Sequence, residues 1–319
     1  MKKEKDIQLA QSNALTSSRY DFSKIEKNVI YNIIRKVRHD YVEGSMQRDL
    51  FDNMYVHLTS ADLAQITDEQ HTNEARAALR SLRHKDIEIE DAAGNWLNVG
   101  FINYAKFNAK TKVYEVEVSK EIMPHLVELA SCFTEYSLTV AISLKSKYSQ
   151  RFYEWAHQYL GKKDMTFFLE QSDLREMLKL EDKYTQNQDF KRKVLDVAIH
   201  ELKEAYDDDQ CDLYLEYAQE GKGKEVRYNF KIHTKDEDAR QKVLFDETRP
   251  LSLYIHKRCL EIFKRDPKFV QRIVQHLDFN PGKVQDVYKK LLKLDKNGYK
   301  GSDLAKILRW TLGEDFQIK

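Results

Sequence analysis

Glycine and proline are scarce in this 319-residue sequence, with 10 and 4 copies. Their scarcity excludes collagen-like and Gly/Pro-rich low-complexity chains and favours long regular elements, chiefly helix. Cysteine is scarcer still. Cys132, Cys211 and Cys259 are odd in number and far apart, with no C-x-x-C pair and no zinc spacing, so no disulfide framework is expected. No stretch approaches the roughly 18 consecutive apolar residues of a membrane span. Met1-Lys2-Lys3-Glu4-Lys5-Asp6 lacks the apolar centre of a signal peptide, and a soluble intracellular protein is expected.

Catalytic signatures are missing too. There is no G-x-x-x-x-G-K-[ST] loop, and Gly221-Lys222-Gly223 lacks the later glycine of a dinucleotide turn. The ten histidines form neither H-E-x-x-H nor an H-x-H pair, which argues against a metalloprotease or a metal-dependent nicking site. His256 and Cys259 lie one turn apart with no second pair, and Glu88 and Glu90 alternate on a strand face. Both pairs read as ordinary surface. No enzyme, cofactor or metal is expected.

What is present is a heavily charged surface over a substantial core. Charged residues make up 33% and hydrophobic ones 41%, including 15 Phe, 18 Tyr and 3 Trp, enough for two or three domains. The net charge of +1 hides an asymmetry, because residues 251–319 carry 15 basic and 8 acidic side chains.

One layout occurs twice. In the first copy Thr59 or Ser60 caps a short helix opening at Asp62-Leu63, a polar turn comes next, and a longer helix begins near Thr72. That helix buries Ala75, Ala78, Leu79 and Leu82 and aligns Arg76, Arg80 and Arg83 on another face. Strands at 86–90 and 96–102 form a hairpin around an acidic turn, and 113–118 alternates as a further strand. In the second copy a short helix within 167–178 is followed by a longer one over 187–202, expected to bury Phe190, Val194, Val197, Ala198 and Leu202. A hairpin with a basic tip at Lys222 and Lys224 comes next. Short helix, turn, longer helix and hairpin is the plan of a winged helix. A core helix precedes each copy: one starts at Ser23-Lys24-Ile25-Glu26, a capping box, and the other runs from Leu144 to Leu160. Residues 234–249 read as a linker, after which come short helices punctuated by Asp266-Pro267, Asn280-Pro281-Gly282, Asn297-Gly298 and a Ser302 cap.

A helix carrying Arg, Lys and Asn at its leading end suits the major groove, where Arg forks to guanine and Asn to adenine, while a basic wing meets phosphate. The second copy fits better, with Asn187, Lys191, Arg192 and Lys193 on the helix and Lys222, Lys224 and Arg227 on the wing. The first offers Asn73, Arg76, Arg80 and Arg83 beside a wing too acidic for phosphate.

Three blocks in order carry a family resemblance: Leu144-Lys145-Ser146-Lys147-Tyr148-Ser149-Gln150-Arg151-Phe152-Tyr153-Glu154; Leu174-Arg175-Glu176-Met177-Leu178; and Phe190-Lys191-Arg192-Lys193-Val194-Leu195-Asp196-Val197-Ala198-Ile199-His200-Glu201-Leu202. The sequence resembles the plasmid replication initiator (Rep) superfamily, whose tandem winged-helix domains bind origin repeats called iterons. The resemblance implies a non-enzymatic bacterial cytoplasmic protein that binds double-stranded origin DNA sequence-specifically, helps open it, and recruits the host initiator and replicative helicase. It further implies a homodimer in equilibrium with monomer. It places iteron contacts at Asn187, Lys191, Arg192 and Lys193, with Lys145, Lys147 and Arg151 as phosphate ligands, and reads Tyr148, Phe152 and Tyr153 as packing residues.

The expected fold is α+β and helix-rich. It comprises an N-terminal winged-helix domain (1–135, dimerisation and DNA contact), a second winged-helix domain (136–235, main iteron binding) and a small basic helical domain (251–319) to which the resemblance does not extend. A winged-helix transcriptional repressor and a nicking rolling-circle initiator are the competing functions.

Overall fold

The computed structural model describes residues 7–318 apart from 51–52, 60–61, 64–71, 91–93, 130–131, 163, 222, 224 and 265, and for 72, 240–247 and 279 it describes the backbone alone. The chain divides into two compact units, Met1–His233 and Thr234–Lys319.

In the first unit, strand β1 (Gln8–Ser12) and the short helix α1 (Asn13–Thr16) lead into α2 (Lys24–Val42). The expected capping box forms in full. Glu26 N donates to Ser23 Oγ at 3.3 Å, and Ser23 N donates to the Glu26 carboxylate at 2.6 Å. Val29, Ile33 and Val37 are buried at helical spacing. Next comes a four-stranded sheet in the order β2 (Gln47–Arg48), β3 (Met54–Thr59), β7 (Val113–Val118), β6 (Ile102–Asn108). Helix α3 (Thr72–Leu82) carries the Arg stripe, and the hairpin β4 (Asp86–Glu90) and β5 (Trp96–Gly100) pairs from Asp86 opposite Gly100 to Glu90 opposite Trp96. Thr59 ends a strand and caps the turn after it: Asp62 N donates to Thr59 Oγ1 at 3.1 Å and Thr59 N to the Asp62 carboxylate at 2.8 Å.

After α4 (Met123–Val127), β8 (Phe133–Ser137) returns antiparallel to β1. The helix expected over 144–160 is α6 (Lys147–Tyr159), and a separate short helix, α5 (Leu138–Ser143), precedes it. Ser146 breaks them apart by taking an extended conformation and accepting from Tyr148 N at 3.1 Å. The second winged helix is β9 (Thr166–Glu170), α7 (Gln171–Met177), α8 (Asn187–Phe190), a π-helical turn (Lys191–Leu195), α9 (Asp196–Asp207), β10 (Leu213–Glu220) and β11 (Arg227–Thr234). The sheet order is β10-β11-β9. One continuous core includes Val29 and Leu79 from the first copy and Phe190, Val194 and Phe230 from the second.

Polar groups at the centre of that core hold the two copies together through α6. Arg151, 2% exposed, donates to the carbonyls of Thr16 (3.0 Å) and Ser18 (2.7 Å) and to Tyr20 Oη (2.6 Å). Glu154 pairs with the buried Lys27 and accepts from Tyr31 Oη at 2.8 Å, and Gln150 donates to Asn28 Oδ1 at 2.8 Å. Tyr148, Phe152 and Tyr153 are packing residues, as expected.

The second unit has its own core, built on Ile255, Ile273, Leu291 and Leu308 among others. Its elements are α10 (Lys235–Ile262), α11 (Pro267–Phe279), α12 (Val284–Lys296) and α13 (Gly301–Phe316). Residues 234–249, read from sequence as a linker, belong to this unit. Thr234 caps α10 by accepting from Glu237 N at 3.3 Å, and the helix runs on through Pro250. Asp266 and Pro267 start α11 as expected, with Asp266 accepting from Phe269 N at 3.1 Å. Ser302 does not cap α13, which starts one residue earlier with no side-chain cap. Cys259 is buried in this core, and burial pushes its thiol up to about 12.

Candidate nucleic-acid interface

The second copy builds its site on a braced turn. Arg175, on α7, donates to the carbonyls of Lys183 (2.9 Å) and Tyr184 (2.7 Å) while its guanidinium lies 4.5 Å from the Phe190 ring. Lys179 and Tyr184 adopt φ of 49° and 53° in this turn. A relay fixes the leading end of the longer helix. Tyr228 Oη donates to Gln171 Oε1 at 3.1 Å, and Gln171 Nε2 donates to Asn187 Oδ1 at 2.6 Å. Behind the helix, Glu201 accepts from Ser146 N at 3.1 Å and Ser149 Oγ at 2.5 Å, tying it to the start of α6.

The π turn departs from the expected regular helix. Because π bonds run from i to i+5, it takes in one more residue than an α turn, and the face beyond it slips by about 100°. Leu195 therefore joins Val194 in the core, and Val197, expected to be buried, is 40% exposed. The basic side chains lie on that turn, directed outward. Arg192 is 69% exposed and pairs with Asp189 at 2.8 Å; Lys193 is 44% exposed, 3.7 Å from the same carboxylate and 5.2 Å from the Tyr184 ring. Lys191 lies 5.7 Å from the Tyr217 ring, and Tyr217 donates to Asp196 at 2.6 Å. The Asp189 contacts are weak surface ion pairs that a phosphate or base edge can displace.

On the wing, Gly221 is required. Its φ is +78°, and an added Cβ would sit 1.8 Å from the Glu225 carbonyl oxygen. Lys222 and Lys224 lie outside the described residues. Arg227 pairs with Glu170 at 2.9 Å and stacks 4.5 Å from Phe168, which is 56% exposed.

Of the candidates before α7, Lys145 is exposed. Lys147 is paired with Asp21, which also meets Lys183 at 3.4 Å. Burial pushes that carboxyl up, but the two lysines hold it below its usual range. Arg151 cannot be a phosphate ligand. It is the internal strut of the shared core, and sequence reasoning misplaced it although it stands three residues after Tyr148 and four before Trp155, on their face of α6.

The first copy is arranged differently. Arg76, Arg80 and Arg83 line a cleft of about 500 Å³ whose far wall is Ala105, Lys106 and Phe107 of β6. The Arg76 guanidinium lies 4.9 Å from the Phe107 ring and Arg83 Nε donates to the Asn103 carbonyl at 3.2 Å; Asn73 and Arg80 are exposed. The stripe thus faces a strand that sequence analysis did not identify.

Among the described residues no helix is long and apolar enough to cross a membrane. Residues 8–157 match the family model described as initiator replication protein, WH1, and residues 170–232 match the initiator Rep protein, WH2. Among solved structures, the Pi initiator protein in complex with iteron DNA aligns with a TM-score of 0.54 and 17% identity, over 73% of this chain and 99% of that one. Domains 2–3 of RctB align with a TM-score of 0.38 and 9% identity, over 66% and 82%. At such identities the Pi likeness is one of fold.

Proposed function

Because this chain belongs to the initiator Rep protein family, matched over both of its winged-helix domains, we propose that it is a plasmid replication initiator binding iterons in origin DNA. The observation that carries this reading is the outward, braced leading end of the second long helix. Asn187, Lys191, Arg192 and Lys193 meet base edges and nearby phosphates in the major groove, and the wing with Lys222, Lys224 and Arg227 tracks the backbone. The Pi initiator, whose structure was solved on iteron DNA, has the same fold. Arg76, Arg80 and Arg83, with Asn73, add a secondary contact through the first copy.

The protein acts without catalysis, by binding and deforming duplex DNA in the bacterial cytoplasm. Monomers serve initiation, homodimers formed through the first winged-helix region restrain it, and the host initiator and replicative helicase join at the opened origin. Footprinting on the DNA flanking its own gene tests the core of this reading. Protection of direct repeats spaced near a helical turn, about 10 bp, is expected, and protection of a lone palindrome or of nothing contradicts it.

A further inference from the structure

The C-terminal unit lies beyond both family matches, which end at residue 232. Two groups of its basic side chains stand in contrast. Arg258 pairs with Asp295 at 2.7 Å and Glu261 at 2.8 Å, Lys290 with Asp315 at 2.7 Å, and Arg309 with Asp266 at 2.6 Å. Lys289, Lys293 and Lys296 succeed one another at four and three residues along one face of α12, opposite the buried Val284, Val287 and Leu291, and Lys300 comes just past the helix end. All four are exposed, and among the described residues none is in an ion pair.

Like charges at such spacings disfavour a helix. The macrodipole favours Lys293 and Lys296 in the last turn but not Lys289, which lies before it. Among the described residues no carboxylate of the unit pairs with this charge, and residues 251–319 as a whole carry 15 basic against 8 acidic side chains. Lys289 to Lys296 extend about 10 Å along the helix, a length over which duplex DNA presents on the order of six phosphate charges.

We infer that the α12 lysine face is a second, sequence-independent DNA contact that grips the phosphate backbone of duplex next to the specifically bound site. Tethering on one chain raises its effective concentration there once the winged helices have bound. The contact adds affinity and salt dependence without base preference.

The test uses the full chain with Lys289, Lys293, Lys296 and Lys300 all changed to Gln, beside a version with all four changed to Arg. Binding is measured against salt on a long duplex carrying the repeats, a random duplex of the same length, a single strand and polyglutamate. Each phosphate contact contributes about 0.9 to the slope of log K against log salt, so the Gln variant, which loses four, should flatten the slope by about 3.6 on both duplexes. The Arg version should keep it, and the preference for repeats over random duplex should persist. An unchanged duplex slope, or a loss confined to polyglutamate or to the single strand, overturns the inference. Thermal melting of the Gln variant should match or slightly exceed that of the parent, since the four side chains are exposed and their mutual repulsion is removed. The random-duplex arm reads this contact even if the chain shows no preference for repeats, so failure of the iteron reading would be seen separately.

Discussion

The two winged-helix copies share one core and one layout but present their long helices in different ways. In the second copy the leading end is held by Arg175 and Gln171, the helix is tied from behind by Glu201, and Arg192 and Lys193 stand at the surface of the π turn. In the first, the Arg stripe faces β6 across a cleft, and Arg76 is partly spent on Phe107. Repeating a sequence pattern therefore does not repeat the surroundings of the helix. The difference lies in a further strand beside the helix, which is set by the hairpin β6 forms with β7 rather than by the helix itself.

The strut common to both copies gives the largest expected effect. Glu154→Ala leaves Lys27 and Arg151 buried without their carboxylate and should cost about 3–5 kcal/mol of stability, read by urea unfolding. Both copies should then unfold in one transition, and two separate transitions would show that they are not coupled through α6. Next, Arg192→Ala should weaken binding to the specific site by about 1–3 kcal/mol, measured by titration against labelled duplex. Arg80→Ala in the first copy should cost less than about 1 kcal/mol and act alike on all sequences. Equal losses from the two changes would erase the distinction between the copies.

A pH series sharpens the account of the shared core. Burial pushes the Lys27 ammonium down from 10.5 to about 8, with Glu154 opposing and Arg151 adding to the fall. Between those values the unfolded chain binds the extra proton, so stability should rise with pH across that window, by at most about 1.4 kcal/mol per pH unit. Burial raises the hydroxyls of Tyr20, Tyr31 and Tyr136, so above pH 10 the unfolded chain loses protons the folded one keeps, and stability should fall. Lys27→Met should remove the rise between pH 8 and 10 and leave the later fall. Urea midpoints at several pH values check both limbs.

Local chemistry made much of this legible. The Ser23 capping box, the Asp266-Pro267 helix start, the 86–100 hairpin and the three family blocks are all set by residues close together in sequence. The misreadings have local and long-range causes. Pairing with β7 makes strands of 54–59, a distant segment, and of 102–108, its neighbour across a short turn; the alternation of Val56 and Leu58 with Tyr55, His57 and Thr59 is the available signal. The π turn is invisible to a periodicity count because one extra residue leaves the spacing of Phe190 and Val194 intact and shifts only the residues beyond Leu195. Arg151 carried a family position, but its burial depends on carbonyls of residues 16 and 18, far away in the chain.

The most direct test of the central claim is a base-pair scan. Wild type and Arg192→Ala are titrated, at one salt concentration, against copies of the protected repeat in which each base pair is substituted in turn. The account predicts that the variant loses discrimination at one or two adjacent positions and keeps it elsewhere. A uniform loss at every position, or an unaltered profile, would contradict base reading by the leading end of this helix.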